Sequence, residues 1–286
     1  MKFAREMAAS PRKIIRKFKL PLDPELPTGP QRLAELSSIM REAAAASGVD
    51  FGEMDRPEER GRAVIFYDTA DFALYRNNFM LRKRVSWERD GATRDELVFK
   101  FRHPDRCLVA AMDPRPAVEV PYVMRFKEQI LPSTDGHGMR SIFWHGCKIR
   151  EPVAPENFSF GTLARVFPAL RNLSANPNKH LTAVNGYTVD ERLVELGTLK
   201  FAKSVAANAH ISLWRVAPGE PLLANELSFQ MEYDAARTHS ARVRSLSDEL
   251  YLQLLRRLSG LTTSGSTKVH ELYGLGGASQ VELSTA

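Results

Sequence analysis

In the run FMLRKRVSW, Phe79 to Trp87, strand alternation puts Arg82 and Arg84 on one face. In the run ELVFKFR, Glu96 to Arg102, it puts Lys100 and Arg102 on one face. The polar stretch Arg89 to Ala92 between them carries a glycine and reads as a hairpin turn, so the four cations become neighbours. Like charges placed that close repel unless acids or an anion compensate them. Two explanations stand side by side. Either the face is solvated and charge costs little, or it lines a polar interior where arginine forks grip phosphate oxygens. The opposite faces carry Leu97, Phe99 and Phe101, and Leu81 and Val85 with Lys83 between them. These apolar faces need burial, so the cations point away from the main core. An ordinary amphipathic hairpin satisfies that pattern as well as a binding site does.

A second basic strand precedes them. In KFKLPLDPE, Lys17 to Glu25, the residues Ile15, Lys17 and Lys19 fall on one face. The seven histidines form no ligand spacing, and His103 in FRHPDR reads as a turn histidine. Neither a Walker-type loop nor a nucleophile elbow is present. GLGG at 274–277 opens no helix, and the basic LLRRLSG at 254–260 ends an amphipathic helix, where cations suit the dipole.

These residues need a scaffold of strands. Strands are expected over 12–20, 61–68, 79–87, 96–102, 117–122, 193–204, 210–216 and 226–233, with the AANA sequence, Ala206 to Ala209, as a turn. Helices are expected over 31–47, 158–170 and 240–258, with a helical turn at 71–76. The stretch Ser133 to Glu156, rich in Gly, Ser, Asp and Pro around IFW at 142–144, reads as a long insertion or loop. That order is α+β and antiparallel, with too many strands for one flat layer. A closed barrel protects the edges economically.

The chain has 286 residues, a formal charge of +6, 43% hydrophobic and 26% charged residues. It is a globular composition with a basic excess, which suits anionic partners. Two cysteines, Cys107 and Cys147, match no zinc or disulfide pattern and suit a reducing compartment. The first residues lack a signal-peptide core, and no run approaches the roughly eighteen apolar residues of a membrane span. A cytoplasmic protein without membrane contact is the expectation.

The run FYDTADFALYRNNFMLRKR, Phe66 to Arg84, resembles the strand–turn–strand signature of the CYTH superfamily, the triphosphate tunnel metalloenzymes. Tyr67, Asp68, Thr69, Leu74 and then Leu81-Arg82-Lys83-Arg84 carry the likeness. Weaker matches follow in order. KFKLPLDPE resembles the first strand, LVFKFR the strand with a tunnel lysine at Lys100, and RPAVEV, Arg115 to Val120, an Arg-x-Glu-x-Glu strand. ANELSFQMEY resembles a late acidic strand, and STKVHELY the closing segment, with Lys268 in the lysine place. The likeness spans about 13–274, with 124–195 poorly matched.

The resemblance implies an antiparallel eight-stranded tunnel barrel with flanking helices, occupying 12–274 between an extension over 1–11 and a tail over 275–286. It implies phosphate-binding residues at Lys17, Lys19, Arg82, Arg84, Lys100, Arg102, Arg115 and Lys268. Family members hydrolyse triphosphates, make cyclic AMP or build polyphosphate. Their metal ligands are poorly represented here. With Lys19 as the motif's lysine the first strand's two glutamate places hold Ile15 and Lys17, and with Lys17 as the lysine they hold Lys13 and Ile15; Ala117 stands in another acid place, and Trp214 stands where an Asp is often found. Glu119, Glu226 and Glu232 remain as candidate ligands for Mg²⁺ or Mn²⁺. The expectation is a tunnel that binds tripolyphosphate, polyphosphate or a nucleoside triphosphate, with weak or no metal-dependent hydrolysis. A divergent triphosphatase is the alternative, and a scaffold making protein contacts through 124–195 is a third reading. No sequence-specific nucleic-acid binding is expected.

Overall fold

The computed structural model describes residues 13–26, 28–54, 58–87, 92–150, 154–217, 220–234, 240–263 and 267–275. The expected extension over 1–11, most of the hairpin turn at 89–92 and the tail beyond 275 lie outside the described residues.

Eleven strands are described: β1 (Lys13–Leu22), β2 (Asp50–Glu53), β3 (Glu59–Asp68), β4 (Phe79–Trp87), β5 (Thr93–His103), β6 (Tyr122–Pro132), β7 (Met139–Ile149), β8 (Thr182–Ala183), β9 (Val189–Ala202), β10 (Val205–Arg215) and β11 (Ala224–Asp234). The helices are α1 (Pro30–Ala46), α2 (Ala73–Arg76), α3 (Arg106–Ala111), α4 (Phe160–Val166), α5 (Ser240–Arg257) and α6 (Lys268–Gly274).

Nine strands close a ring in the order β9-β10-β11-β1-β6-β7-β5-β4-β3, with β3 pairing back onto β9. This corrects the expected eight antiparallel strands. An odd ring cannot alternate direction all the way round, so one seam must be parallel. That seam is β1 against β6, with Lys17 opposite Gln129. The long β9 serves two neighbours along one edge, β3 at residues 189–194 and β2 at 197–200.

Most apolar residues pack outside the barrel and polar ones face its lumen, but Val64, Phe66, Met80 and Trp214 lie on the lumen-facing side of their strands and pack against Leu272 and Tyr273 of α6. On one side Phe18, Leu20, Leu227, Phe229, Ile211 and Leu199 pack under α1 and α5. Phe18 stacks on Phe229 at 4.6 Å, and the Tyr251 hydroxyl donates to the Lys19 carbonyl at 2.7 Å. On the other side Leu81, Leu97, Phe99, Phe101, Cys147 and Ile149 pack under α4 and its flanking loops. Around the polar part of the lumen each barrel strand thus spends one face on a core and leaves the other for the lumen.

Three local expectations are corrected. The segment 117–122 forms no strand before Tyr122, because Pro114, Pro116 and Pro121 crowd it and cannot donate to a ladder. The AANA sequence lies inside β10, where Ala207 and Ala209 are buried beneath the helices; the turn is at Lys203 and Ser204. The supposed long loop over 133–156 contains β7, a full wall strand hydrogen-bonded to both β5 and β6. Gly146 permits that close packing, because a Cβ there would stand 2.7 Å from the Lys100 Cβ and 2.8 Å from the Phe99 carbonyl.

Candidate functional site: a cationic lumen

The lumen holds a chamber of about 290 Å³. Its wall includes Lys17 and Lys19 from β1, Arg62 from β3, Arg82 and Arg84 from β4, Lys100 and Arg102 from β5, Lys127 from β6, and Lys268 from α6. Against these nine cations stand two carboxylates, Glu191 of β9 and Glu226 of β11. A wider cavity of about 1150 Å³ adjoins at one end, sharing Arg62 and Leu193 with the chamber.

Alternation brings these side chains to the lumen. In β1 the core takes Phe18 and Leu20, so Lys17 and Lys19 face inward. In β4 and β5 the core takes Leu81, Leu97, Phe99 and Phe101, which leaves Arg82, Arg84, Lys100 and Arg102 inside. Lys83 lies on the outer face and pairs with Asp95 at 3.3 Å.

The cations divide into two groups. Glu226 accepts from Lys19 at 2.9 Å and lies 3.4 Å from Lys268 and 4.0 Å from Lys17. Glu191 accepts from Arg62, lies 3.7 Å from Arg84 and lies 3.6 Å from Lys268. By contrast Arg82, Lys100, Arg102 and Lys127 have no carboxylate at ion-pair distance among the described residues. Lys127 donates to the Gln230 side-chain carbonyl at 2.6 Å. Lys100 and Lys127 lie 5.2 and 5.3 Å from the ring centre of Trp144. The Nε donors of Arg82, Arg84 and Arg102, and the indole N–H groups of Trp144 and Trp214, are buried without a hydrogen-bond partner.

Electrostatics follow this division. Burial, then Arg82, Arg102, Lys19 and Arg84, push the Lys100 ammonium well below the ordinary lysine range. Burial and then the neighbouring Arg84 and Arg62 likewise lower Arg82. Burial, followed by Arg125 and Lys148, lowers Lys127 to about 7. Burial and Arg140 lower Arg102 to about 10. Lys17 and Lys19 are also lowered by burial, against the pull of Glu226. Burial alone would raise Glu226, but Lys19, Lys268 and Lys17 outweigh it and hold the carboxyl far below the carboxylate range. His210, beside Ser228 in the same chamber, is pushed down to about 3 by burial and then by Lys17 and Lys268, so it stays neutral. A buried cation without a counter-ion is costly, and an anion entering here would meet prepaid charge.

Of the residues singled out from the sequence, Lys17, Lys19, Arg82, Arg84, Lys100, Arg102, Lys268 and Glu226 come together. Arg115 and Glu119 do not. They lie in the exposed segment before β6, where Arg115 donates to Asp113 at 2.8 Å. Glu232 pairs instead with Lys13 at 3.0 Å, and both are well exposed. Sequence reading missed Arg62, Lys127, Trp144 and Glu191. Their signal was available in part: in VDERLVEL, Glu191 and Leu193 share one face of β9, opposite the buried Val194 and Leu196.

No family model matches the chain, and no curated protein matches it. Several solved structures are similar to it. The putative adenylyl cyclase HpAC1 from Hippeastrum, described as having a dominant triphosphatase activity, is 13% identical, with 92% of this chain and 95% of that one covered and a TM-score of 0.43. A putative adenylate cyclase from Bacillus halodurans is 14% identical, with 92% and 98% covered and a TM-score of 0.39. The Pct1 RNA triphosphatase of S. pombe is 12% identical, with 88% and 74% covered and a TM-score of 0.26. Identities this low leave the substrate and the chemistry to the residues of this chain.

The CYTH superfamily that the sequence motifs resemble implies a divalent metal, and with the Lys268 ammonium between Glu191 and Glu226 the donor set here does not fit one. Among the described residues no group of three or more His, Cys, Asp or Glu side chains converges. The proposed ligands Glu119, Glu226 and Glu232 are dispersed, and the two lumen carboxylates are both held by cations. Hard divalent ions take several free oxygen ligands.

Proposed function

We propose that this chain is a divergent CYTH-type tunnel barrel that binds a phosphate-rich anion, such as tripolyphosphate, polyphosphate or the triphosphate of a nucleotide, with weak or no metal-dependent hydrolysis. One observation carries the reading: Arg82, Lys100, Arg102 and Lys127 line one lumen, and among the described residues none of them has a carboxylate at ion-pair distance. Arginine forks and lysine point charges suit phosphate oxygens, and a closed lumen strengthens each contact by excluding water. The pairing of Trp144 with two lysines keeps those ammonium groups inside the chamber rather than extended into solvent.

The test is calorimetric titration with tripolyphosphate, run once with Mg²⁺ and once with EDTA, with phosphate release assayed on the same samples. Binding in EDTA without release supports the reading. Binding that requires metal and is accompanied by release makes the protein a divergent triphosphatase. Absence of binding in both arms removes the anion function. The third expectation, a scaffold acting through 124–195, meets a structural constraint: this stretch supplies β6, β7 and much of β9 to the wall, so its removal would open the barrel.

A further inference from the structure

Lys268 is the first residue of α6, and its ammonium reaches into the lumen between the two carboxylates. It lies 3.6 Å from Glu191 Oε1 and 3.4 Å from Glu226 Oε1. It donates to Ser212 Oγ at 2.6 Å, and Ser212 in turn donates to Glu191 Oε1 at 2.7 Å. The indole ring of Trp214 covers it at 4.9 Å. All four partners are almost fully buried. The ammonium is not a loose arm. Thr267 caps α6, the Tyr273 hydroxyl donates to Asp68 at 3.1 Å, and the Asn185 amide donates to the Leu272 carbonyl at 2.8 Å.

We propose that Lys268 is a built-in cation that bridges Glu191 and Glu226 in place of a divalent metal ion, and that removing its side chain opens a divalent-cation site there. The donor set supports this. Two carboxylates and a serine hydroxyl are hard oxygen donors converging on one point, and a lysine ammonium is a compact charge with three donors to satisfy them. The remaining charge on each carboxylate is met by Lys17 and Lys19 on one side and by Arg62 and Arg84 on the other. Glu226 Oε1 has no hydrogen-bond partner and faces the Lys268 ammonium at ion-pair distance, so it is the oxygen most ready to change partners. The residue does not act on a substrate in this scheme. It positions two carboxylates and fixes the charge of that end of the lumen.

The experiment is Mn²⁺ binding followed by electron paramagnetic resonance on the full chain, without phosphate, so it stands apart from the anion reading. Wild type is expected to hold no Mn²⁺ that depends on Glu191 or Glu226. Lys268→Ala is expected to bind about one Mn²⁺ per chain, and Glu191→Gln in that background to weaken it by ~10-fold or more. Lys268→Ser is the second small variant, and circular dichroism establishes which variants are folded. Mn²⁺ bound by wild type and lost in Glu191→Gln or Glu226→Gln would overturn the proposal. So would folded Lys268→Ala or Lys268→Ser protein that gains no Mn²⁺ site. Tripolyphosphate titrated in EDTA then reads the anion separately, and its failure would strike the tunnel reading while leaving the metal result intact.

Discussion

Arg82 and Lys83 are adjacent in β4 and have opposite surroundings. Arg82 faces the lumen with no carboxylate partner among the described residues, whereas Lys83 sits on the outer face beside Asp95. Arg82→Ala is therefore expected to weaken tripolyphosphate binding by about 1.5–3 kcal/mol, the range of a charge-assisted hydrogen bond, while Lys83→Ala leaves it unchanged. Titration calorimetry on both variants decides it. Lys127 gives a pH signature. Its ammonium is lowered to about 7, below its ordinary value, so between there and the ordinary lysine range the unfolded chain binds a proton that the folded one does not. Stability contributed by this group thus rises with pH across that window. An anion beside Lys127 favours the charged form, so binding above neutrality should take up protons and weaken as pH climbs. Titrations in buffers of different ionisation enthalpy measure that uptake; a heat independent of buffer would contradict it. Many of the lumen residues were legible from alternation and the CYTH-like run, because a strand with one apolar face declares its other face. Arg115 and Glu119 were misplaced because a motif's spacing does not reveal where its strand begins, and Glu232 because it lies in β11 but at the exposed end beside Lys13. Glu191 and Lys127 were hidden because their strands were read late or not at all.

At the scale of elements, β4, β5, β11, α1 and α5 were readable from the periodicity of their apolar residues, and their bounds moved by a few residues at most. The β6–β7 pair was not. In β6 the outward residues Tyr122, Met124 and Phe126 alternate with Val123, Arg125 and Lys127, and in β7 Phe143, Cys147 and Ile149 alternate with Trp144, Gly146 and Lys148. Charged lumen positions, a glycine and an inward tryptophan break the familiar pattern of apolar inside and polar outside. The barrel reverses that pattern here, since the core under these strands lies outside the wall. Gly146 is the tight point of β7 against β5. Gly146→Ala should destabilise the protein by about 1–3 kcal/mol, as overpacking does, read as a lower urea midpoint. The parallel seam has its own anchor. Arg16, 1% exposed, donates to Glu128 at 2.8 Å and to Ser247 at 3.1 Å, and pairs with Asp248 at 2.9 Å. Arg16→Ala leaves Glu128 and Asp248 with only the more distant Arg244, at 3.8 and 4.0 Å, as a cationic partner and should cost about 3–5 kcal/mol in the same assay. It should not alter the cation count of the lumen, because Arg16 lies on the outer face.

For the whole molecule, the lumen's uncompensated charge sets fold stability against binding. Lys100→Met should raise the melting temperature of the protein alone while reducing its affinity for tripolyphosphate, because a buried like-charge cluster loses one member. Tripolyphosphate at a hundred times its dissociation constant should stabilise wild type by about 2.7 kcal/mol, and differential scanning calorimetry in EDTA reads that shift. A melting temperature unmoved by the anion would contradict a bound state at this site. The seam in the ring bears on the protein's synthesis. β1 shares three register positions with β6 but ten with β11, from Lys13 opposite Asp234 to Leu22 opposite Asn225. Its principal partner therefore leaves the ribosome some two hundred residues after it does, a delay of roughly ten to forty seconds at bacterial and eukaryotic rates of about 5–20 residues per second. Through that interval β1 is a nascent edge strand. Lys13, Lys17 and Lys19 all fall on one of its faces, and lysines on an exposed edge deter pairing with another chain. Two of these ammonium groups, those of Lys17 and Lys19, later furnish the lumen, after guarding the unfinished polypeptide against aggregation.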